Sequence, residues 1–283
     1  MRMYAMTINC RGKLIDLSSP KVMGILNITP DSFHDGGQFL QVSEALNRVE
    51  KMLAEGADFI DIGGMSSRPG AEIIPEEEEL KRVIPVLTRI VQQIPEAIIS
   101  VDTIRAKVAR EALEAGAHLI NDISAGRFDN AIISTVAGFN VPYIIMHMDG
   151  LPANMQVAPE YNDVVIDVYD FFIERIKTCR TAGIIDTIID PGFGFGKTVE
   201  HNYSLLRNLS YFSNLQLPIL AGVSRKSLIC KALGINPDKA LNGTTAVNML
   251  ALINGAQILR VHDVKEAKEV VKLFEAYKGN PAT

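Results

Sequence analysis

The sequence predicts an α/β fold: a barrel of eight parallel strands, each followed by a helix, entered through a short N-terminal β-hairpin, with residues 1–283 as one domain. Three observations carry that expectation. Short, almost continuously apolar runs recur along the chain, amphipathic helical patterns separate them, and polar or charged residues close nearly every run. Continuous apolarity is what strands buried on both faces require, and strands that alternate with helices pair in parallel. Eight such units in roughly 250 residues match a TIM (β/α)8 barrel, with a doubly wound sheet as the competing arrangement.

The elements follow in order. The first 17 residues stand outside the rhythm, and MTINCRGKLIDL reads as a hairpin turning at Arg11-Gly12, placed as a plug for the barrel floor. The strand runs are VMGILN (22–27), DFIDIG (58–63), IISVD (98–102), HLINDI (118–123), PYIIMH (142–147), DTIIDP (186–191), PILAGVS (218–224) and QILRVH (257–262). Between the first two, Val42, Ala45, Leu46, Val49, Met52 and Leu53 share one helical face, with Ser43 as the expected cap and Gly56 as the stop. Glu76 to Glu79 read as the solvated first turn of the next helix, where carboxylates suit the helix dipole. The last helix is expected to be capped by Asp263, with Glu266 three residues on.

Bulk properties narrow the function. A chain of 283 residues with 47% hydrophobic residues buries a large core without disulfide or metal staples. A net charge of -5 gives no footprint for nucleic acid or acidic membranes. No run approaches the ~20 apolar residues of a membrane span, and no signal segment follows Arg2. Cys10, Cys179 and Cys230 have neither zinc nor redox spacing, which fits a reducing, cytoplasmic setting.

In a TIM barrel the C-terminal strand ends build the active site. Here they carry Asn27, Asp61, Asp102, Asn121-Asp122, His147, Asp190, Ser224-Arg225-Lys226, Arg260 and His262. Any single aspartate there equally serves as a helix cap or a buried network member, Asp61 and Asp122 among them. Arg260 has an ion pair with a neighbouring strand-end aspartate as its alternative, and His147 stays open between packing and function. The run DPGFGFGKT (190–198) invites comparison with a phosphate loop, but GxxxxGK[ST] requires glycine where Pro191 stands, and the third glycine comes one residue early for GxGxxG. It reads as a tight loop whose chemistry lies in Asp190, with Lys197 of little consequence. An anion is better received after the seventh and eighth strands, where Lys226, Arg260 and His262 form a cationic clamp beside a helix N-terminus. The segments NITPDSFHDGGQF (27–39) and GGMSSRPGA (63–71) are long and rich in turn residues, as active-site lids are.

The stretches GILNITPDSFHDGG, DIGGMSSRPGA, SVDT, INDISAG, MHM, DPGFGFGKT, GVSRKS and RVHDV run in order over about residues 22 to 265. Through them the chain closely resembles the dihydropteroate synthases. The resemblance implies a TIM barrel that condenses 6-hydroxymethyl-7,8-dihydropterin diphosphate with 4-aminobenzoate to give 7,8-dihydropteroate and diphosphate, with Mg2+, as a homodimer, with sulfonamides as aminobenzoate mimics. By the same resemblance Asp102, Asn121, Ile123, Met146, Asp190, Phe195, Lys226 and Arg260 hold the pterin. Asn27, Ser66, Ser67, Arg68 and His262 meet the diphosphate, Asn27 also holds the metal, Phe33, Pro69, Lys226 and Ser227 receive aminobenzoate, and Asp35 and Arg68 serve loop closure. The chain departs from the family's usual Glu and Thr at Met65 and Ser67, and from a frequent Ser at His34. The physical fit is direct: a pterin's two-donor edge matches a carboxylate such as Asp190, and Arg260 suits the ring face by cation–π stacking. The rival readings are a pterin-binding corrinoid methyltransferase, a Schiff-base aldolase using Lys226, and a non-catalytic pterin-binding module.

Overall fold

The computed structural model describes residues 6–28, 38–66, 73–150 and 159–279. The expectations for Phe33, Asp35, Ser67, Arg68 and Pro69 lie outside the described residues. A hairpin of β1 (Thr7–Cys10) and β2 (Lys13–Asp16) comes first. Then follow β3 (Lys21–Asn27), α1 (Gln38–Ala54), β4 (Phe59–Gly63), α2 (Glu76–Gln93), β5 (Ile99–Asp102), α3 (Ala106–Glu114), β6 (Leu119–Asp122), α4 (Ala131–Phe139), β7 (Tyr143–Met146), α5 (Val164–Thr181), β8 (Thr187–Asp190), α6 (Val199–Arg207), β9 (Leu220–Ala221), α7 (Ser227–Leu233), α8 (Leu241–Ile253), β10 (Ile258–Val261) and α9 (Val264–Tyr277).

The eight strands β3 to β10 form one parallel sheet in the order β8-β7-β6-β5-β4-β3-β10-β9. The ring closes between β8 and β9 by the bridge Ile189–Ile219, where the Ile189 N–H donates to the Pro218 carbonyl at 2.9 Å. This is the (β/α)8 barrel that the alternating pattern predicts. Strand register decides where the chemistry goes. Asn27 pairs with Gly63, Gly63 with Asp102 and Asp102 with Asn121, so three polar side chains end up in one layer at the barrel mouth. On the far side Met146 pairs with Asp190.

The hairpin turns at Arg11 and Gly12, both at positive φ (54° and 89°), as a two-residue connection between twisted strands requires. Ile8, Cys10 and Leu17 pack on Met23, Phe59, Leu119, Ile144, Ile188, Leu220 and Ile258, residues from the beginnings of the barrel strands. The hairpin therefore closes the floor. Ile8 and Leu17 each add about 1.5–3 kcal/mol by burial. The main core lies between the barrel and its helices, and a small third cluster sits at the mouth.

Three local expectations change. Ser43 lies inside α1, because the apolar stripe of that helix runs on past it; Gly56 does end the helix, at φ 98°. The acidic run does open α2, but Glu79 is fully buried and ion-paired with Arg105 rather than solvated. Asp263 occupies the N-cap position of α9 without capping it, since its carboxylate accepts two bonds from Arg225, at 2.9 and 2.6 Å. A charge-assisted bidentate pair outcompetes a single cap bond.

Candidate active site

At the barrel mouth Arg260 leaves β10 and crosses the interior to β4 and β5. Its Nε donates to Asp61 Oδ2 at 2.6 Å and its Nη2 to Asp102 Oδ2 at 2.8 Å. The Asn121 amide donates to the same Asp61 oxygen at 3.0 Å. The ion-pair alternative for Arg260 is thus the arrangement found, and Asp61, read from sequence only as a cap or network member, is the buried centre of the cluster. Its Oδ1 is buried with no hydrogen-bond partner among the described residues. Two carboxylates share one guanidinium. Burial pushes Asp102 up to about 7, the guanidinium pulls against this, and Asp61 adds to the push. Asp122, one residue beyond Asn121, turns away from the mouth. It accepts from Ser124 N and Oγ, Gly126 N and Tyr143 OH, and is fully employed as a structural anchor.

Opposite this cluster stand Asp190 and Lys226. Asp190 is 4% exposed, and its Oδ1 accepts from Gly192 N at 2.8 Å. Burial raises its pKa, while Lys226 opposes the rise. Lys226, just before α7, donates to the Phe193 carbonyl at 2.6 Å and sits 4.6 Å from the centroid of the Phe195 ring. Its burial lowers it to about 8, against the pull of Asp190. Ser227 follows as the first residue of α7. Between the two polar walls Ile123, Met146 and Phe195 come together with Met65, Ile104 and Met148 in one apolar cluster. The mouth is therefore an apolar slot edged by carboxylates and an amide on one wall, and by a carboxylate and an ammonium on the other. Such a slot suits a flat heterocycle with alternating donors and acceptors at its rim.

At the end of β10 the His262 ring meets Ser224 Oγ at 3.0 Å through Nδ1. Burial first, then Arg260 and Arg225, hold His262 down to about 4. Burial and the neighbouring guanidinium groups thus favour the neutral His262 ring, and Arg260 is engaged with two carboxylates, which bears on the expected cationic clamp without testing it. Asn27 stands at the end of β3 and Ser66 just beyond β4, both partly exposed.

The largest departure from expectation is Lys197. It is 2% exposed, and its ammonium reaches the carbonyls of Gly192 (3.0 Å), Phe195 (3.0 Å) and His147 (3.3 Å) and His147 Nδ1 (3.0 Å). An enclosed lysine with four partners is part of the scaffold, which argues against the expectation that its replacement would be mild. His147 is settled by the same contact as a packed histidine, 7% exposed and pushed down to about 2 by burial and by Lys197. Asp61 and Lys197 are the two site residues that sequence reasoning undervalued.

A mouth of this kind on a (β/α)8 barrel defines a pterin-binding class of enzyme, and comparison with known proteins agrees: residues 23–262 match the family described as pterin binding enzyme. The dihydropteroate synthase of Escherichia coli K12 is 47% identical over 273 residues, 96% of each chain. That of Haemophilus influenzae is 47% identical over 278 residues, 98% of each. Among solved structures, the Yersinia pestis dihydropteroate synthase in a sulfonamide drug complex superposes with a TM-score of 0.91 at 45% identity, covering 97% of this chain and 100% of that one. The Xanthomonas albilineans dihydropteroate synthase in complex with 7,8-dihydropteroate gives 0.87 at 41%, covering 98% and 100%. The chain belongs to the pterin binding enzyme family, within its dihydropteroate synthases.

Proposed function

We infer that the chain joins 6-hydroxymethyl-7,8-dihydropterin diphosphate to 4-aminobenzoate, releasing diphosphate and forming 7,8-dihydropteroate. One observation carries the reading beyond family membership: Asp102, Asn121, Asp190, Lys226 and Arg260 surround a single apolar slot of Ile123, Met146 and Phe195. The C–O bond to diphosphate breaks, a C–N bond to the arylamine forms, and the nitrogen loses a proton. The arylamine needs little base help, and an electron-rich dihydropterin supports positive charge on the carbon that diphosphate leaves. Catalysis then rests on binding the departing anion and excluding water.

In this reading Asp190 accepts from the pterin N3–H and 2-amino group. Asn121 and Asp102 pair with the remaining ring nitrogens, Lys226 donates to the carbonyl side, and the face of Arg260 lies over the ring. Asn27, Ser66, Ser67, Arg68 and His262 receive the diphosphate; Phe33, Pro69, Lys226 and Ser227 receive aminobenzoate, with Asp35 and Arg68 in loop closure. Sulfonamides compete for the aminobenzoate position.

Mg2+ fits the residues present. A Cβ on Gly63 would lie 3.6 Å from Asp102 Cβ, 3.7 Å from Asn27 Oδ1 and 3.9 Å from Asp102 Oδ2, so the bare glycine leaves a space at the mouth that Asn27 Oδ1 borders. Mg2+ is held by one or two protein oxygens completed by phosphate oxygens and water, and Asn27 Oδ1 would be one of them. When bound, the ion would neutralise charge on the diphosphate. We further propose a homodimer in the cytoplasm. Free cysteines and the lack, among the described residues, of any helix long and apolar enough to cross a membrane are consistent with that setting.

The activity is tested by diphosphate release from pterin diphosphate with and without 4-aminobenzoate. Release that depends on aminobenzoate is expected; tight pterin binding with no release would leave only a binding module. For the diphosphate subsite, His262→Ala is expected to weaken pterin diphosphate about tenfold, a lost hydrogen bond to a charged group. It should leave the non-phosphorylated pterin nearly unaffected in calorimetry, whereas equal weakening of both ligands would remove His262 from the anion site.

A further inference from the structure

The glycine-rich run after β8 lies backbone to backbone against the end of β7. A Cβ on Gly192 would collide with the His147 carbonyl, and one on Gly196 would sit 2.5 Å from the Asp149 carbonyl oxygen. Lys197 is buried at this seam and collects its carbonyls, two from the run itself and one from His147. The run is pinned twice more, by the Gly194 N–H to Asn202 Oδ1 at 2.7 Å and by Tyr161 OH to the Gly196 carbonyl at 2.9 Å. Its free edge faces the slot. There the Phe193 carbonyl receives the Lys226 ammonium, and the Phe195 ring lies beneath that ammonium.

We propose that Lys197 is a positioning residue for the pterin slot: by gathering the Gly192 and Phe195 carbonyls onto His147 it fixes the run that holds Lys226, and so sets where the Lys226 amine meets the pterin. The proposal rests on the reading that Lys226 contacts the pterin. Lys197 does not touch substrate, since its ammonium is enclosed by protein carbonyls and the His147 ring.

The test is a double-mutant cycle read by calorimetry with 6-hydroxymethylpterin, which lacks the diphosphate. Lys197→Met is expected to weaken the pterin about tenfold, comparable to the loss of one charge-assisted hydrogen bond. In a Lys226→Ala background the same change should add less than about twofold, because the group it positions is gone; with Asn121→Ala, on the opposite wall, the two losses should multiply. A merely structural lysine would lower stability without this selective coupling. Multiplying losses with Lys226→Ala, or unchanged pterin affinity in Lys197→Met, overturns the proposal. If Lys197→Met does not fold, Lys197→Gln, which keeps two N–H donors, decides by the same criterion: a weakening that vanishes with Lys226→Ala supports it, and a weakening that persists or none at all overturns it. Full pterin affinity in Lys226→Ala alone would overturn the slot reading together with this proposal, whereas additivity overturns this proposal only.

Discussion

Replacing Arg260 with methionine is expected to lower folding stability by about 3–5 kcal/mol, the usual consequence of stripping the partner from a buried charge. Methionine keeps most of the side-chain volume, so packing loss is minor and the electrostatic loss dominates. Asp61 is fully buried and retains only the Asn121 amide as a donor on Oδ2. Asp102 loses the guanidinium that most draws its pKa down. The sign of the pH dependence follows. A carboxylate whose folded pKa is raised stabilises the fold at low pH, fully below the unfolded value of roughly 4, and that contribution is lost as pH rises through the folded value. In the parent chain the Asp102 contribution fades as pH rises towards about 7. In Arg260→Met the folded Asp102 carboxyl holds its proton still more strongly, so the variant's deficit should shrink between pH 7 and pH 5. Urea midpoints at the two pH values, with unchanged slope, measure this. A deficit equal at both would mean that Asp102 does not carry the loss.

Asp190→Asn should weaken pterin binding by at least roughly tenfold with the melting temperature nearly unchanged. The amide keeps the shape and can still accept from Gly192 N through its oxygen, which is why the fold tolerates it. The second position then presents a donor to a ligand donor, and a buried polar mismatch costs about 1–3 kcal/mol. Removing the negative charge also strips Lys226 of the carboxylate that favours its protonation. Calorimetric titration with a pterin beside a thermal melt separates the two effects. Parent-like affinity in a fully folded Asp190→Asn would take Asp190 out of the pterin site.

Much of the barrel is legible in the sequence because both of its periodicities are strong. Strands buried on two faces leave apolar runs that no other element explains, and most observed strands fall within a residue or so of those runs. The exception is PILAGVS, where only Leu220–Ala221 joins the ladder. The run is apolar throughout, but the backbone turns out at Arg225, at φ 56°, to serve the mouth. Strand-end polarity points to the mouth as the site. What it cannot show is pairing across the ring: Arg260 and Asp61 lie 199 residues apart, so neither charge announces its partner. Glu79 is one of four glutamates in a row, and only the fold turns it inward to Arg105, 26 residues on. Lys197 illustrates the limit of spacing rules, which exclude a phosphate loop yet are silent on where an excluded lysine goes.

The junction of β8 and β9 gives the barrel one weak link in an otherwise laddered hoop. Seven neighbouring pairs of strands are zipped by register, while this eighth contact depends on Ile189 and Ile219. Asp190 follows Ile189 on one side of the join, and Lys226 lies a few residues past β9 on the other, so a ligand gripped by both spans the gap. On the proposed reading of Asp190 and Lys226 the pterin would act as a clasp across this join, so that its binding and the closure of the hoop would be coupled.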